Sequence, residues 1–217
     1  MADFATARRR MVDNQLRTSN VTDRRILAAM DEVPRERFVP EARQALAYVD
    51  AAHDLGAGRS LGAPAAFARL VQLAEVGPDD TALDVGAGTG YGTAVLARLA
   101  ARVTGVESEP ALAAAARALL ADLGVANADI SEGPLEGTGL PKDAYDAVVM
   151  EGAVSEVPQS LFALLKEGGR LVALVRQNGA GVAHVYVRSG GRIATRAEFN
   201  TALPPLAMAP REVMFEF

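Results

Sequence analysis

At 217 residues, half of them hydrophobic, the chain is long enough for one sizeable domain with a full core and a small appendage, and too short for two large domains. Twenty-two basic residues against 27 acidic ones leave a formal charge of −5, which offers no field to hold a polyanion and argues against nucleic acid and anionic membrane as partners. With no cysteine and only two histidines, His53 and His184, far apart in sequence, disulfides and thiolate chemistry are excluded, and a metal centre or a histidine-based triad has little to build on.

The opening "MADFATARRRMVDNQL" carries positive charge with no apolar stretch behind it, so it does not read as a signal peptide. No later segment is a long uninterrupted apolar run, and the expectation is a soluble cytoplasmic protein. Arg8 to Arg10 read as a solvated helix face on an otherwise acidic chain. Residues 1 to about 50 predict helix, turn, helix and a Pro-punctuated loop. In "TDRRILAAMDEVP" Thr22 is placed to cap a helix that buries Ile26, Leu27 and Met30, and Pro34 stops it. Phe38 and Val39 follow as anchors between two prolines.

The stretch "LGAGRSLGAP", residues 55 to 64, reads as a glycine-rich loop. Beyond it Pro64 suits a first helical turn, and Phe67, Leu70, Val71 and Ala74 have the spacing of a core-facing helix ended by "GPDD". From residue 81 short β-rich runs alternate with helical ones: "TALDV", "YGTAVLARLA", "RVTGVE", then "PALAAAARALLADLG" with Ser108 before it and Gly124 after it. "ADIS", "YDAVVM", a helix around "SLFALLKEGG", and strands "RLVALV" and "VAHVYV" complete the series. Such alternation predicts an α/β, doubly wound, mostly parallel sheet with right-handed crossovers. The tail "LPPLAMAPREVMFEF" reads either as an edge strand with an ordered terminus or as part of a lid.

"LDVGAGTGYG", residues 83 to 92, carries the most chemistry, because three glycines stand between a strand and a helix, where an open α/β sheet holds its ligand. A dinucleotide fingerprint would place a third glycine at Tyr91. The spacing Gly86-x-Gly88-x-Gly90 differs, and Asp84 just before it suits a cationic ligand better than a pyrophosphate. Glu107 ends the next strand, 21 residues beyond Gly86, where a carboxylate accepts both hydroxyls of a ribose. Together these residues predict an adenosine ligand with a cationic tail, a description that S-adenosylmethionine fits.

"LDVGAGTGYGTAVLARL" resembles the first motif of class I methyltransferases, and its Gly-Tyr ending is similar to the protein-L-isoaspartate O-methyltransferase family. "MVDNQLRTSNVTDRRILAAMDEVPRERFVP" resembles that family's opening helices and Val-Pro-Arg-x-x-Phe-Val-Pro signature, "AYVDAAHDLGAGRSLGAP" its acceptor loop, and "YDAVVMEGAVSEVPQSLFALLKEGGRLVALV" its fourth and fifth strands. The resemblance implies a Rossmann-like class I methyltransferase fold with an N-terminal helical extension, divided as residues 1–62, helical segment and acceptor loop, and 63–217, donor-binding core. It implies S-adenosylmethionine as methyl donor and a protein or peptide carboxylate as acceptor, with an unidentified small molecule as the alternative. A non-catalytic, donor-binding protein acting through a partner is a further alternative. Carried over by position, Gly86, Ala87 and Gly88 line the methionine part, Glu107 the ribose, and Glu132 with Leu135 the adenine side. The neighbouring Asp84, Gly90, Tyr91, Ser108 and Gly133 belong to the same expected donor site, although Tyr91 reads equally as packing over the sheet end. The family's acceptor-positioning serine falls on Gly62, and its turn after the fourth strand becomes Glu151-Gly152-Ala153. Arg59, as a bidentate carboxylate partner, and Ser60, as an orienting hydroxyl, are the candidates for acceptor positioning. The alternative readings are a surface arginine and a turn serine bonding its own backbone. His53 reads as a loop residue paired with Asp54, and His184 as a strand residue.

Overall fold

A computed structural model describes residues 3–177 and 180–208. Its centre is a seven-stranded sheet of β3 (Thr81–Val85), β4 (Arg102–Glu107), β5 (Ala128–Glu132), β6 (Tyr145–Val154), β7 (Leu165–Val175), β8 (Gly181–Ser189) and β9 (Arg192–Thr201). The spatial order is β5-β4-β3-β6-β7-β8-β9, with parallel pairing from β5 to β7 and antiparallel pairing of β8 and β9. The expected doubly wound sheet is therefore present. The chain runs outward from β3 to β5 and then returns to β6 on the other side, so the crevice for a ligand opens at the carboxyl ends of β3 and β6.

Inner strands are apolar on both faces because helices cover both. Ala147 and Val149 of β6 join one cluster of buried residues while Val148 and Met150 join the other, the two-residue period of a strand sorted between two cores. The first cluster also takes in Met11, Leu16, Ile26, Met30 and Phe38, so the N-terminal arm, including α1 (Phe4–Met11) and α2 (Arg24–Glu32), shares a core with the sheet. α3 (Pro64–Ala74) begins at Pro64, buries Phe67, Leu70, Val71 and Ala74, and ends at Glu75 in a left-handed conformation. α4 (Tyr91–Leu96) follows β3, α5 (Pro110–Asp122) follows β4, and a small antiparallel hairpin, β1 (His53–Gly56) with β2 (Arg59–Leu61), precedes α3.

Several local expectations change. Asp23 rather than Thr22 caps α2, its Oδ1 accepting from Arg25 N at 2.8 Å, while Gln72 Oε1 accepts from the backbone N–H groups of both Thr22 and Asp23, at 2.7 and 3.1 Å. Ser108 does not cap α5. Glu109 holds that place without a side-chain bond, and Pro110, which has no N–H to satisfy, starts the helix. The helix around "SLFALLKEGG" is a single turn, α6 (Gln159–Phe162), because Asp143, Ala144 and Tyr145 donate backbone bonds to the carbonyls of Ala163 and Leu164 and draw the chain straight into β7. Arg8 is not simply solvated, since its Nε donates to the Tyr48 hydroxyl at 2.9 Å and its Nη1 to the carbonyls of Asp31 and Glu32. β9 has no counterpart in the sequence reading, because an edge strand exposed on both faces carries no apolar alternation.

Candidate active site

Gly86, Gly88 and Gly90 all have positive φ, at 89°, 56° and 92°, the tight left-handed path that closes the turn between β3 and α4. Gly86 and Ala87 donate backbone bonds to the carbonyl of Val106, which fixes the turn against β4. A Cβ on Gly90 would lie 3.1 Å from that of Ala116, so this glycine lets α5 approach closely. Thr89 Oγ1 donates to the Phe38 carbonyl at 2.6 Å and ties the turn to the N-terminal arm.

Glu107 is fully buried at the end of β4. Its Oε2 accepts from Gly88 N at 2.7 Å and its Oε1 from Glu109 N at 3.0 Å, with Ser108 Oγ at 3.5 Å. The remaining capacity of the carboxylate is taken by Arg59, whose Nε stands 3.1 Å from Oε1 and whose Nη2 stands 3.0 Å from Oε2. Both groups are buried, at 5% and 0% side-chain exposure. Arg59 is thus buried rather than a surface arginine, and its guanidinium is held by Glu107. A Cβ on Gly86 would fall 2.8 Å from Arg59 Nη2 and 2.7 Å from Leu206 Cδ1, and one on Gly88 would fall 2.9 Å from Leu55 Cδ1. Leu206 belongs to a strap, residues 202–208, that bonds to Ala153 of β6 through Leu206 N and the Pro204 carbonyl.

The other expected donor-site residues divide. Glu132 pairs with Glu107 in the β4–β5 register and stands 3.5 Å from Arg117 Nη1, half exposed. Gly133 N donates to the Glu107 carbonyl at 3.0 Å, while Leu135 is buried in the second core. Tyr91 packs over the sheet end: it is fully buried, with its ring centroid 5.5 Å from Phe38 and 5.8 Å from Phe67. Asp84 is buried below the turn, accepting from Thr93 Oγ1 at 2.6 Å. Ser60 is half-buried on β2 opposite Asp54. His53 is buried in β1 and does not pair with Asp54, whose Oδ1 instead accepts from Gly56 N at 2.9 Å. Burial, reinforced by Arg35 and Arg43, lowers its pKa. His184 is the expected strand residue, its Nδ1 3.0 Å from the Val182 carbonyl.

Three further residues stand in the quoted motifs, but their roles show only in their contacts. Arg35, fully buried, donates through Nε to the Ala47 carbonyl at 2.8 Å and through Nη2 to the Gly62 carbonyl at 2.6 Å, with its guanidinium 4.9 Å from the Tyr91 ring centroid. It joins the "VPRERF" segment to the exit of the hairpin. Gly62, where the resembling family has a serine, is covered by Leu203: a Cβ there would meet Leu203 Cδ2 at 2.7 Å, so a side chain enters only if that leucine turns aside. Glu151 lies over Gly92 with its carboxylate against Asp84, and the unpaired oxygens of the two, Asp84 Oδ1 and Glu151 Oε1, are buried. A single proton on Glu151 satisfies both.

Burial, with Glu107 adding its charge, pushes Asp84 up to about 6, and burial together with the Asp84 charge pushes Glu151 well above the carboxylate range. Both folded-state values exceed the unfolded ones, so the folded protein holds the extra proton and stability falls as pH rises through about 4 to 6 and beyond. Glu151→Gln keeps a neutral donor facing Asp84. Its melting temperature is expected to match the parent near pH 4 and to exceed it at pH 8; a difference independent of pH would contradict the shared proton.

Between β6, β7 and the strap lies a cavity of about 720 Å³, lined by Ser155, Glu156, Val157, Gln159, Arg176 and Leu206 among others. Leu206 is its common wall with the Gly86 cradle. Among the described residues no cluster of His, Asp or Glu is arranged to hold a metal, and no helix is long and apolar enough to cross a membrane.

The model of the protein-L-isoaspartate (D-aspartate) O-methyltransferase family matches residues 6–209. The chain belongs to this family. A protein-L-isoaspartate O-methyltransferase of Methanoregula boonei is 41% identical over 187 residues, covering 85% of each chain, and that of a Roseiflexus species is 39% identical over 94% of this chain and 93% of its own. Among solved structures, a protein-L-isoaspartate O-methyltransferase superposes with a TM-score of 0.77 at 24% identity over 92% of this chain and 66% of its own. A Plasmodium falciparum structure described as a β-aspartate methyltransferase, in complex with S-adenosyl-L-homocysteine, has the same TM-score at 21% identity over 95% and 99%. These two likenesses show that the methyltransferase fold is shared, N-terminal arm included.

Proposed function

We propose that the protein transfers the methyl group of S-adenosylmethionine to a carboxylate of isoaspartyl residues in damaged proteins, a repair reaction in the cytoplasm. The observation that carries this reading is the Gly86-x-Gly88 turn held by the Glu107 carboxylate in a chain matched to the family over residues 6–209. The residues fit the donor: glycines whose Cβ would fill the cradle, and a buried carboxylate at the ribose distance along the next strand.

When bound, the donor supplies a methyl carried on sulfonium, which passes to a carboxylate oxygen as the C–S electron pair returns to sulfur, with no proton to move. The protein's residues then have only to orient and desolvate. Glu107 takes the ribose hydroxyls, Gly86 and Gly88 admit the chain of the donor, and the cavity beyond Leu206 receives the acceptor, with Arg176 as a cation on its wall. No general base is required, because a carboxylate is already ionised at neutral pH.

A second acceptor class is favoured by one observation: Gly62 is covered by Leu203 where the family's hydroxyl would stand. Incubation with methyl-labelled donor and matched isoaspartyl and aspartyl peptides tests both. Label on the isoaspartyl peptide alone is the expected outcome. Donor binding without transfer to either would leave the donor site and move the acceptor to another carboxylate.

A further inference from the structure

We infer that Arg59 is an internal competitor of the methyl donor, seated on the ribose carboxylate, and that it sets donor affinity through opening of the β1–β2 hairpin. The inference rests on Glu107 being the ribose residue, as proposed above. Nε and Nη2 of Arg59 engage both oxygens of Glu107, and the backbone N–H groups of Gly88 and Glu109 complete the set. No acceptor direction is left for a vicinal diol. The guanidinium also lies against Gly86, in the space that a ligand approaching a glycine must enter.

Magnitudes favour the closed arrangement when the donor is scarce. Guanidinium and ribose hydroxyls both make charge-assisted bonds to the carboxylate, but only Arg59 brings an opposite charge and a two-pronged fork, so two ribose hydroxyls alone do not displace it. The adenine and methionine contacts have to make up the difference, and the apparent dissociation constant is the intrinsic one divided by the open fraction.

The competitor is mounted on a part that can move without breaking the sheet. Among the described residues the hairpin's strands pair with each other alone, in three registered positions, and Gly56, Ala57 and Gly58 at its tip are all left-handed. Leu55 of the same hairpin covers Gly88, so one outward swing clears both the carboxylate and half of the cradle. Leu206, on the strap, covers the rest.

The test is calorimetric titration of S-adenosylhomocysteine into the parent and into Arg59→Gln, with amide hydrogen exchange of the parent with and without saturating S-adenosylhomocysteine. Arg59→Gln is expected to bind on the order of tenfold more tightly. In the parent, amides of residues 53–61 are expected to exchange faster once the compound is bound. Equal or weaker binding by Arg59→Gln overturns the inference and leaves the donor reading standing. Unchanged or slower exchange in the hairpin does the same, and decides the matter alone if the variant fails to fold. Absence of binding to both proteins overturns the donor reading and this inference with it.

Discussion

Glu107→Gln is expected to lower the melting temperature by roughly 6–12 °C, from about 3 kcal/mol at 2–4 °C per kcal/mol for a chain of this size. The asymmetry of the ion pair sets this value. Glu107 keeps the backbone donors of Gly88 and Glu109 if Arg59 is removed, whereas the side-chain hydrogen bonds of Arg59 all run to Glu107 among the described residues. Neutralising the carboxylate leaves a buried guanidinium without its hydrogen-bonded counter-charge, the costly way to break such a pair. Arg59→Gln alone should cost less, and the double variant should regain most of the loss of Glu107→Gln, a coupling that a double-mutant cycle reads directly. Melting within about 2 °C of the parent would mean that the pair is open in solution. Glu107→Gln should also bind S-adenosylhomocysteine far more weakly, because an amide accepts at only one of its two positions.

Arg35→Ala is expected to cost about 3–5 kcal/mol, read by urea denaturation, and to reduce methyl transfer more than donor binding. Removal of this side chain empties a fully buried volume between Tyr91 and the hairpin exit and leaves the carbonyls of Ala47 and Gly62 without donors. Arg35→Lys should recover little, since one ammonium on a flexible stem does not reproduce a planar fork aimed at two carbonyls. A variant that unfolds at the parent's urea midpoint would show that the arm and the hairpin are not joined through this residue.

Much of the fold is legible in the residues because local and global signals agree there. The buried runs at 81–85 and 145–150, the heptad-like spacing of Phe67, Leu70, Val71 and Ala74, and the glycine turn each predict the element that forms. Two of the misses fall where tertiary bonds meet the ends of elements. Gln72 of α3 holds the backbone of Thr22 and Asp23 where α2 begins, and the bonds from residues 143–145 to the carbonyls of Ala163 and Leu164 turn an expected helix into strand. The candidate site divides in the same way. Glu107 and the glycines are visible from spacing, being near one another in sequence. The place of Arg59 and Ser60 in the loop suggests acceptor residues; that Arg59 reaches 48 residues ahead to Glu107 is decided by burial and charge across the crevice, which no local pattern records. Leu203 and Leu206 fall in a tail whose composition fits an edge strand or a lid, and only their contacts with Gly62 and Gly86 assign the strap to the site. The rest of the tail lies outside the described residues.

The two rims of the sheet carry one more consequence. β5 ends in Glu132 and carries Asp129, while β9 presents Arg192, Arg196 and Glu198 on faces that are open to water. Strands that end a sheet offer unpaired backbone to any other extended chain, and charge on them is the usual deterrent. A protein whose proposed acceptors are damaged, partly unfolded polypeptides meets such chains continually. On the proposed function, the charged rims would discourage such clients from annealing along β5 or β9 and reserve the crevice for them.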